Sequence, residues 1–216
     1  MKNNDSHILN DHAYKAIIFT IIGVIALVLI VVLIAYEDVK SKAGEVCFYI
    51  NDRPVTKLEH DYYYNTYYNS YISEYSFMFD YMGIDPNIEL TSQMYDEDRT
   101  FGEYFEDCAK DQLIKITALH DDGTKNGFTY DSTSEYDEFS SRIEDTCRAA
   151  GVSIDTYYKK FYGEFATKRN IEEYLNYGFY STAYYNYLCE SMNKDIDDLA
   201  AFEYTANLKD AYEITY

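Results

Sequence analysis

The stretch 132–151, STSEYDEFSSRIEDTCRAAG, decides the fold class of this chain. Its apolar residues recur at steps of three and four positions, which places them on one face of an α-helix. They are Tyr136, Phe139, Ile143, Cys147 and Ala150. A capping box over residues 132–135 predicts where the helix begins, and Gly151 at the C′ position predicts where it ends. The stretch therefore predicts an amphipathic helix that packs against other helices.

The segments before this stretch show the same kind of pattern. Two further capping boxes lie at Thr56–Glu59 and Thr100–Glu103. In each, we expect the Thr hydroxyl to accept a first-turn N–H and the Glu carboxylate to reach back to the cap. The first box predicts a helix of about 25 residues that ends at Gly83, and the second predicts a helix that ends before Gly123.

The segments after the stretch also read as helices. Ser153 is predicted to cap a shorter helix that ends at Gly163. Residues 165–193 are predicted to form one long helix, and Asp195 is predicted to cap a last helix that runs toward Tyr212.

A short β-rich run at the start of the domain interrupts the helical pattern. Residues 46–50 have β propensity, Asn51-Asp52-Arg53 has turn chemistry, and Pro54-Val55 can return as a second strand. The chain contains only two prolines, so little else breaks the helical periodicity. The predicted fold is therefore all-α, with a small β-hairpin at the start of the helical domain.

An uncharged apolar run, AIIFTIIGVIALVLIVVLIAY, occupies residues 16–36. At about 1.5 Å per residue, a helix of this length can cross the hydrocarbon core of a bilayer. A cleaved signal peptide is the competing interpretation, since Ser41 and Ala43 could form a cleavage site. The anchor is favoured because secretory apolar cores usually have about 7 to 15 residues. Lysines lie on both sides of the run, so local charge leaves its orientation open.

The amino-acid composition limits the classes of partner that the chain can bind. The net charge of −20 excludes nucleic acid, because binding phosphates needs clustered Lys and Arg. The acidity otherwise indicates either a solvated surface or attraction to basic clients and cations. The chain has 27 Tyr and no Trp. Tyrosine suits half-buried positions and surfaces that touch varied partners, so a core role and a client-binding role are both open.

The sequence offers no motif for catalysis, a metal or a cofactor. It lacks a Gly-rich phosphate loop, HExxH and GxSxG, and its cysteines lack ligand spacing. Outside the membrane, the four cysteines could pair in three ways. Cys108, Cys147 and Cys189 fall on apolar helical stripes, however, which favours free thiols in the core. We therefore expect no catalytic residues, no metal and no cofactor.

Three segments resemble a known family in order along the chain. Cys47–Glu59, CFYINDRPVTKLE, resembles the V-N-G-x-x-I-T-x-x-E opening of SurA-like and PrsA-like foldases, with Asp52 where that family prefers Gly. Gly151–Gly163 resembles the family's G-x-S-x-x-x-Y element. Residues 195–199 and 203–207 are similar to the segment where the chain approaches the isomerase module.

The resemblance implies an extracytoplasmic chaperone or foldase held by an N-terminal membrane anchor. Residues 1–15 would be a cytoplasmic tail, 16–36 a single-pass transmembrane anchor, 37–45 a linker and 46–216 a helical domain like the SurA N-terminal domain. The family often adds a parvulin peptidyl-prolyl isomerase domain, which this chain lacks. We therefore expect no isomerase activity of its own, whether the chain is a natural relative without that domain or a truncated one.

Two functions follow as hypotheses. In the first, the domain binds unfolded or partly folded exported proteins through apolar and Tyr-rich helix surfaces, with homodimerisation left open. The candidate client-binding residues are Tyr62, Tyr63, Tyr67, Tyr71, Phe179, Tyr184 and Tyr185. In the alternative, the chain is a structural or assembly protein of the cell envelope that docks one fixed partner.

Overall fold

In the computed structural model, the described residues are 24–33, 35–192 and 199–216. Residues 24–33 and 35–43 are helical (α1). No helix of the described residues is long and apolar enough to span a membrane. Residues 16–23 and Ile34 of the predicted anchor lie outside the described residues. The transmembrane helix therefore stays a prediction.

The chain divides into two compact units between Lys42 and Ala43. In the first, Lys42 Nζ pairs with Asp38 Oδ2 at 2.9 Å. The second is predominantly helical, which confirms the predicted all-α class. Its elements are β1 (Val46–Ile50), β2 (Arg53–Thr56), α2 (Lys57–Tyr75), α3 (Phe79–Met82), α4 (Phe101–Lys125), α5 (Thr133–Ala150), α6 (Ile154–Tyr162), α7 (Glu172–Met192), α8 (Leu199–Lys209) and β3 (Ile214–Thr215).

The predicted hairpin is present, and a third strand extends it. β1 pairs antiparallel with β2, and β3 pairs antiparallel with the other side of β1. Asn51 turns the hairpin with a φ of 50°. Its side-chain Oδ1 accepts a hydrogen bond from the Glu213 N–H at 2.9 Å, which holds β3 against the turn. The sequence did not predict β3, because two residues are too few to show a period.

The three predicted capping boxes have three different outcomes. The box of Thr100 and Glu103 is complete. At Thr56 the hydroxyl accepts the Glu59 N–H at 3.3 Å, but the Glu59 carboxylate pairs with Arg53 instead of reaching back. The charged guanidinium binds the Glu59 carboxylate more strongly than the neutral backbone N–H of Thr56 would.

The third box, at Ser132, was predicted wrongly. Ser132 makes no side-chain cap: its backbone, with φ −88° and ψ 8°, is not in the extended conformation of an N-cap, and its hydroxyl donates to Asn176 on α7 at 2.9 Å. Asp131 takes over the first turn of α5: its carboxylate accepts the Thr133 N–H at 3.0 Å. A tertiary contact has therefore displaced the local capping pattern.

Most predicted helix ends are confirmed. Gly83 and Gly151 end their helices in the left-handed region, with φ of 73° and 66°. Gly163 follows α6, which Ser153 caps as predicted. Gly123 was interpreted wrongly, because α4 continues through it to Lys125.

Gly123 serves helix packing. A Cβ atom there would lie 3.0 Å from the hydroxyl of Tyr180 and 3.0 Å from the Cγ of Tyr184 on α7. These distances are shorter than normal contacts, so a side chain at this position would push the two rings away by a few tenths of an ångström.

Two predicted long helices are shorter in the structure. A 3₁₀ turn at Ser76–Met78 separates α2 from α3. The helix predicted from residue 165 begins only at Glu172. Before it, the Asn170 side chain accepts the Thr167 N–H at 2.7 Å and donates to the Phe165 carbonyl at 2.8 Å. These local hydrogen bonds stabilise a turn at residues 165–170, where the sequence predicted the beginning of the helix. Asn193 and Asp195 lie outside the described residues.

The core of the second unit forms around α4, which contacts α2, α7 and α8. Phe105, Leu113 and Ala118 of α4 are completely buried. α5 and α6 pack together with α7 in a neighbouring cluster that contains Ile143 and Tyr158. Cys108, Cys147 and Cys189 are free thiols, as predicted, and only Cys147 is fully buried.

Candidate functional site

A short segment between α2 and α4 carries the most exposed large apolar side chains among the described residues of the second unit, apart from Tyr216. Tyr81 is 90% exposed and Phe77 is 81% exposed. Met78 and Met82 are exposed beside them, and Ile88 and Met94 are exposed further along. We call residues 76–94 the tip segment. Flexible methionines next to aromatic rings are typical of surfaces that bind varied partners.

The tip segment is ordered by what lies beneath it. Ile84 and Leu90 are buried against Phe101 and Phe105 of α4, and Phe79 packs against the same cluster. The Gln93 side chain donates to the backbone carbonyls of Asp85 and Ile88 at 3.0 and 2.9 Å. The exposed side chains are therefore held on a fixed scaffold.

A groove of about 490 Å³ opens between the start of α5 and the second half of α7. We call it the α5–α7 groove. Its aromatic residues are Phe128, Tyr130, Phe179 and Tyr187, and Glu135 and Glu190 supply two carboxylates. The rings of Phe128 and Tyr187 lie 5.5 Å apart between centroids, and Tyr130 stacks on Phe128 at 6.5 Å. The Tyr130 hydroxyl donates a hydrogen bond to Glu135. The groove therefore combines aromatic faces with negative charge.

His60 on α2 lies between two carboxylates. Its Nε2 is 2.8 Å from Glu106 Oε2, and its Nδ1 is 3.4 Å from Asp61 Oδ1. Burial opposes the charged form, but the hydrogen bonds that the imidazole donates to these carboxylates raise the pKa of His60 to about 9. The hydrogen bond from His60 lowers the pKa of Glu106 to about 2. The imidazole is therefore a cation at neutral pH and suits an ion pair better than a general base.

A buried charged pair joins the sheet to the helices. Glu59 is 1% exposed and pairs with Arg53 at 2.5 Å. The Arg53 guanidinium lies 4.5 Å from the centroid of the Tyr177 ring, and His120 stacks on the same ring at 3.9 Å. This arrangement connects β2, α2, α4 and α7. Its enclosure by protein indicates a role in holding the fold together.

The described residues contain no group of three or more His, Cys, Asp and Glu that could hold a metal ion. In the described part of the chain, His120 lies near a single carboxylate, that of Asp121, at 3.9 Å. Burial lowers the pKa of His120.

The structure separates the predicted client-binding residues. Tyr63 and Tyr184 are buried in the core and offer no surface to a partner. Tyr67 and Tyr71 are half-buried beside the cluster under the tip segment. The others are also half-buried: Tyr62 between two core clusters, Tyr185 beside the α7–α8 cluster and Phe179 in the α5–α7 groove.

The sequence analysis missed the exposed residues. It predicted one helix from the first capping box to Gly83, whereas a 3₁₀ turn interrupts that helix at Ser76–Met78 and Met82 is exposed. Five apolar residues crowd into the run 77–82, FMFDYM. That density exceeds what one helical face can bury, and it is the signal that could have indicated the tip segment.

The comparisons with known proteins leave the family open. No known family model matches the chain, and neither a curated protein nor a solved structure matches it.

Proposed function

We propose that this chain is a membrane-anchored, extracytoplasmic chaperone or foldase domain that binds unfolded segments of exported proteins without chemistry of its own. The observation that carries the proposal is the tip segment, where Phe77 and Tyr81 are almost fully exposed on an ordered base. Exposed apolar groups cost free energy in water, and covering them with client side chains recovers it. The sequence resemblance to SurA-like and PrsA-like foldases supports the same function.

The high charge suits this activity. A net charge of −20 keeps the chain and its client complexes apart from one another, so exposed rings at the tip need not cause self-association. The half-buried Tyr67 and Tyr71 lie beside the same cluster and would extend the contact surface. Binding would thus be reversible and tolerant of sequence.

The test is light scattering of an unfolded protein that aggregates, with and without the full chain in detergent micelles. A prolyl-isomerisation assay runs on the same sample. We expect suppressed aggregation without isomerase activity. Phe77→Ser should reduce the suppression, whereas Phe202→Ser, the same change at an exposed position on α8, should not. Equal activity of the two variants would contradict the role of the tip.

Crosslinking in intact cells distinguishes the chaperone function from the alternative, a structural or assembly role. Many weakly captured proteins fit a chaperone. A single stoichiometric partner would instead identify a structural or assembly protein of the envelope. Protease treatment of the same cells tests the membrane topology, because residues 46–216 should be cleaved from outside.

A further inference from the structure

The α5–α7 groove has a chemical character that differs from the tip segment. Phe128, Tyr130 and Tyr187 present aromatic faces, and Tyr187 is 52% exposed. No lysine or arginine is among the residues that line it. An aromatic ring carries negative charge on its face, so rings next to carboxylates form a site of one electrostatic sign.

Both carboxylates of the groove are available to a ligand. Glu190 is exposed and has no ion-pair partner among the described residues. Glu135 accepts hydrogen bonds from the hydroxyls of Tyr130 and Ser134, which lower its pKa and keep it ionised. Among the described residues, the groove therefore offers two negative charges without a counter-charge.

Elsewhere the chain fills such aromatic faces with its own cations. Lys115 lies 5.0 Å from the ring centroid of Tyr185, and Arg53 lies 4.5 Å from that of Tyr177. The rings of Tyr130 and Tyr187 have no such cation among the described residues. Within the part of the chain that the structure describes, the rings of the groove thus lack the cation that comparable rings hold.

Resting on the binding function proposed above, we propose that the α5–α7 groove binds an arginine or lysine side chain of a basic, extended client segment. The stem of the side chain packs on Tyr130 and Tyr187, and its charged head pairs with Glu135 and Glu190. A purely apolar segment would desolvate the carboxylates without compensation, and an acidic segment would be repelled. The groove then selects basic stretches, while the tip segment holds apolar ones.

The test uses the full chain in detergent micelles and three fluorescein-labelled peptides with one apolar pattern. The peptides carry two arginines, two glutamines or two glutamates at the same positions, and binding is followed by fluorescence anisotropy. We expect the arginine peptide to bind about tenfold more tightly than the glutamine peptide. The preference should shrink as salt is added, because ions screen exposed charges.

The variant Glu135→Gln/Glu190→Gln should bring the arginine peptide to the affinity of the glutamine peptide. Its control is Glu172→Gln/Glu213→Gln, which removes two exposed charges elsewhere and should keep the preference. Tyr187→Ser should also weaken arginine binding, and circular dichroism checks that each variant is folded. If the arginine preference survives the Glu135/Glu190 change, or falls equally in the control, the proposed binding of basic side chains in the α5–α7 groove is refuted.

The same data separate this inference from the function on which it rests. If the three peptides bind equally and aggregation is still suppressed, the groove fails and the chaperone function stands. If no peptide binds and aggregation proceeds, both fail.

Discussion

His60 should make the stability of this protein depend on pH between about 6.5 and 9. Its pKa is raised from 6.5 to about 9 by the hydrogen bonds to Asp61 and Glu106, which outweigh its burial. A group whose pKa is higher in the folded state stabilises that state when it is protonated. The stabilisation is therefore complete below pH 6.5, and it is lost as the pH rises through about 9. His60→Gln should remove this dependence.

The size of the effect follows from the shift. At about 1.4 kcal/mol per pKa unit, the change from 6.5 to about 9 sets an upper limit of about 3 to 4 kcal/mol. Glu106 is one-third exposed, so water screens part of the pair. We expect the free energy of unfolding to fall by about 1 to 2 kcal/mol between pH 6.5 and 9.

Urea unfolding of the full chain, followed by circular dichroism at several pH values, measures this fall. His120→Gln is the control, because burial lowers the pKa of His120 and its loss should leave the slope above pH 6.5 unchanged. A parallel slope in His60→Gln and the unmodified chain would refute the reasoning. So would an NMR titration that gives His60 a pKa of 6.5 or less.

Three further predictions concern the helix packing, the helix caps and the acid dependence of stability. Gly123→Ala should cost about 1 to 3 kcal/mol, because its Cβ would lie 3.0 Å from Tyr180 and Tyr184, and an unchanged thermal midpoint would show that α4 and α7 can separate freely. Thr56→Ala should lower the free energy of unfolding by about 1 kcal/mol or more, since the hydroxyl caps α2 and also forms a hydrogen bond with Tyr174 at 2.9 Å. Ser132→Ala removes no cap and should lower it less, and the midpoints of urea unfolding compare the two variants. Below pH 4.5 the low pKa of Glu106 should make stability fall toward pH 2, and Glu106→Gln should flatten that acid limb in the same urea series.

The sequence predicted those parts of the fold that local chemistry determines. The ends at Gly83 and Gly151 followed from the need for positive φ, and the cap at Ser153 followed from its hydroxyl. Each of these signals acts within one helical turn. Their success therefore required no knowledge of the tertiary structure.

Two of the failures involve a partner far along the chain. Gly123 reads as a helix stop until Tyr180 and Tyr184 are known to pack on it. The local sequence predicts that Ser132 caps α5, but its hydroxyl forms a hydrogen bond with Asn176, 44 positions further along the chain. Tertiary contacts of this kind are invisible to a short window of sequence.

The candidate sites were the hardest to predict. Helical periodicity cannot tell a buried Tyr from an exposed one when the chain has 27 of them. Tyr63 and Tyr184 therefore looked equivalent to Tyr67 and Tyr71. The aromatic groove was missed because Tyr130 lies in a connection and Tyr187 on a helix, and only the fold brings them together.

The third strand sets an order of events during biosynthesis. Tyr49 of β1 pairs with Thr215 of β3, and Ile50 pairs with Ile214. A ribosome releases β1 and β2 early, while β3 emerges only after every helix of the unit has been made. One edge of β1 is consequently left without its strand partner until residues 214–215 have emerged, and the docking of β3 completes the three-stranded sheet late.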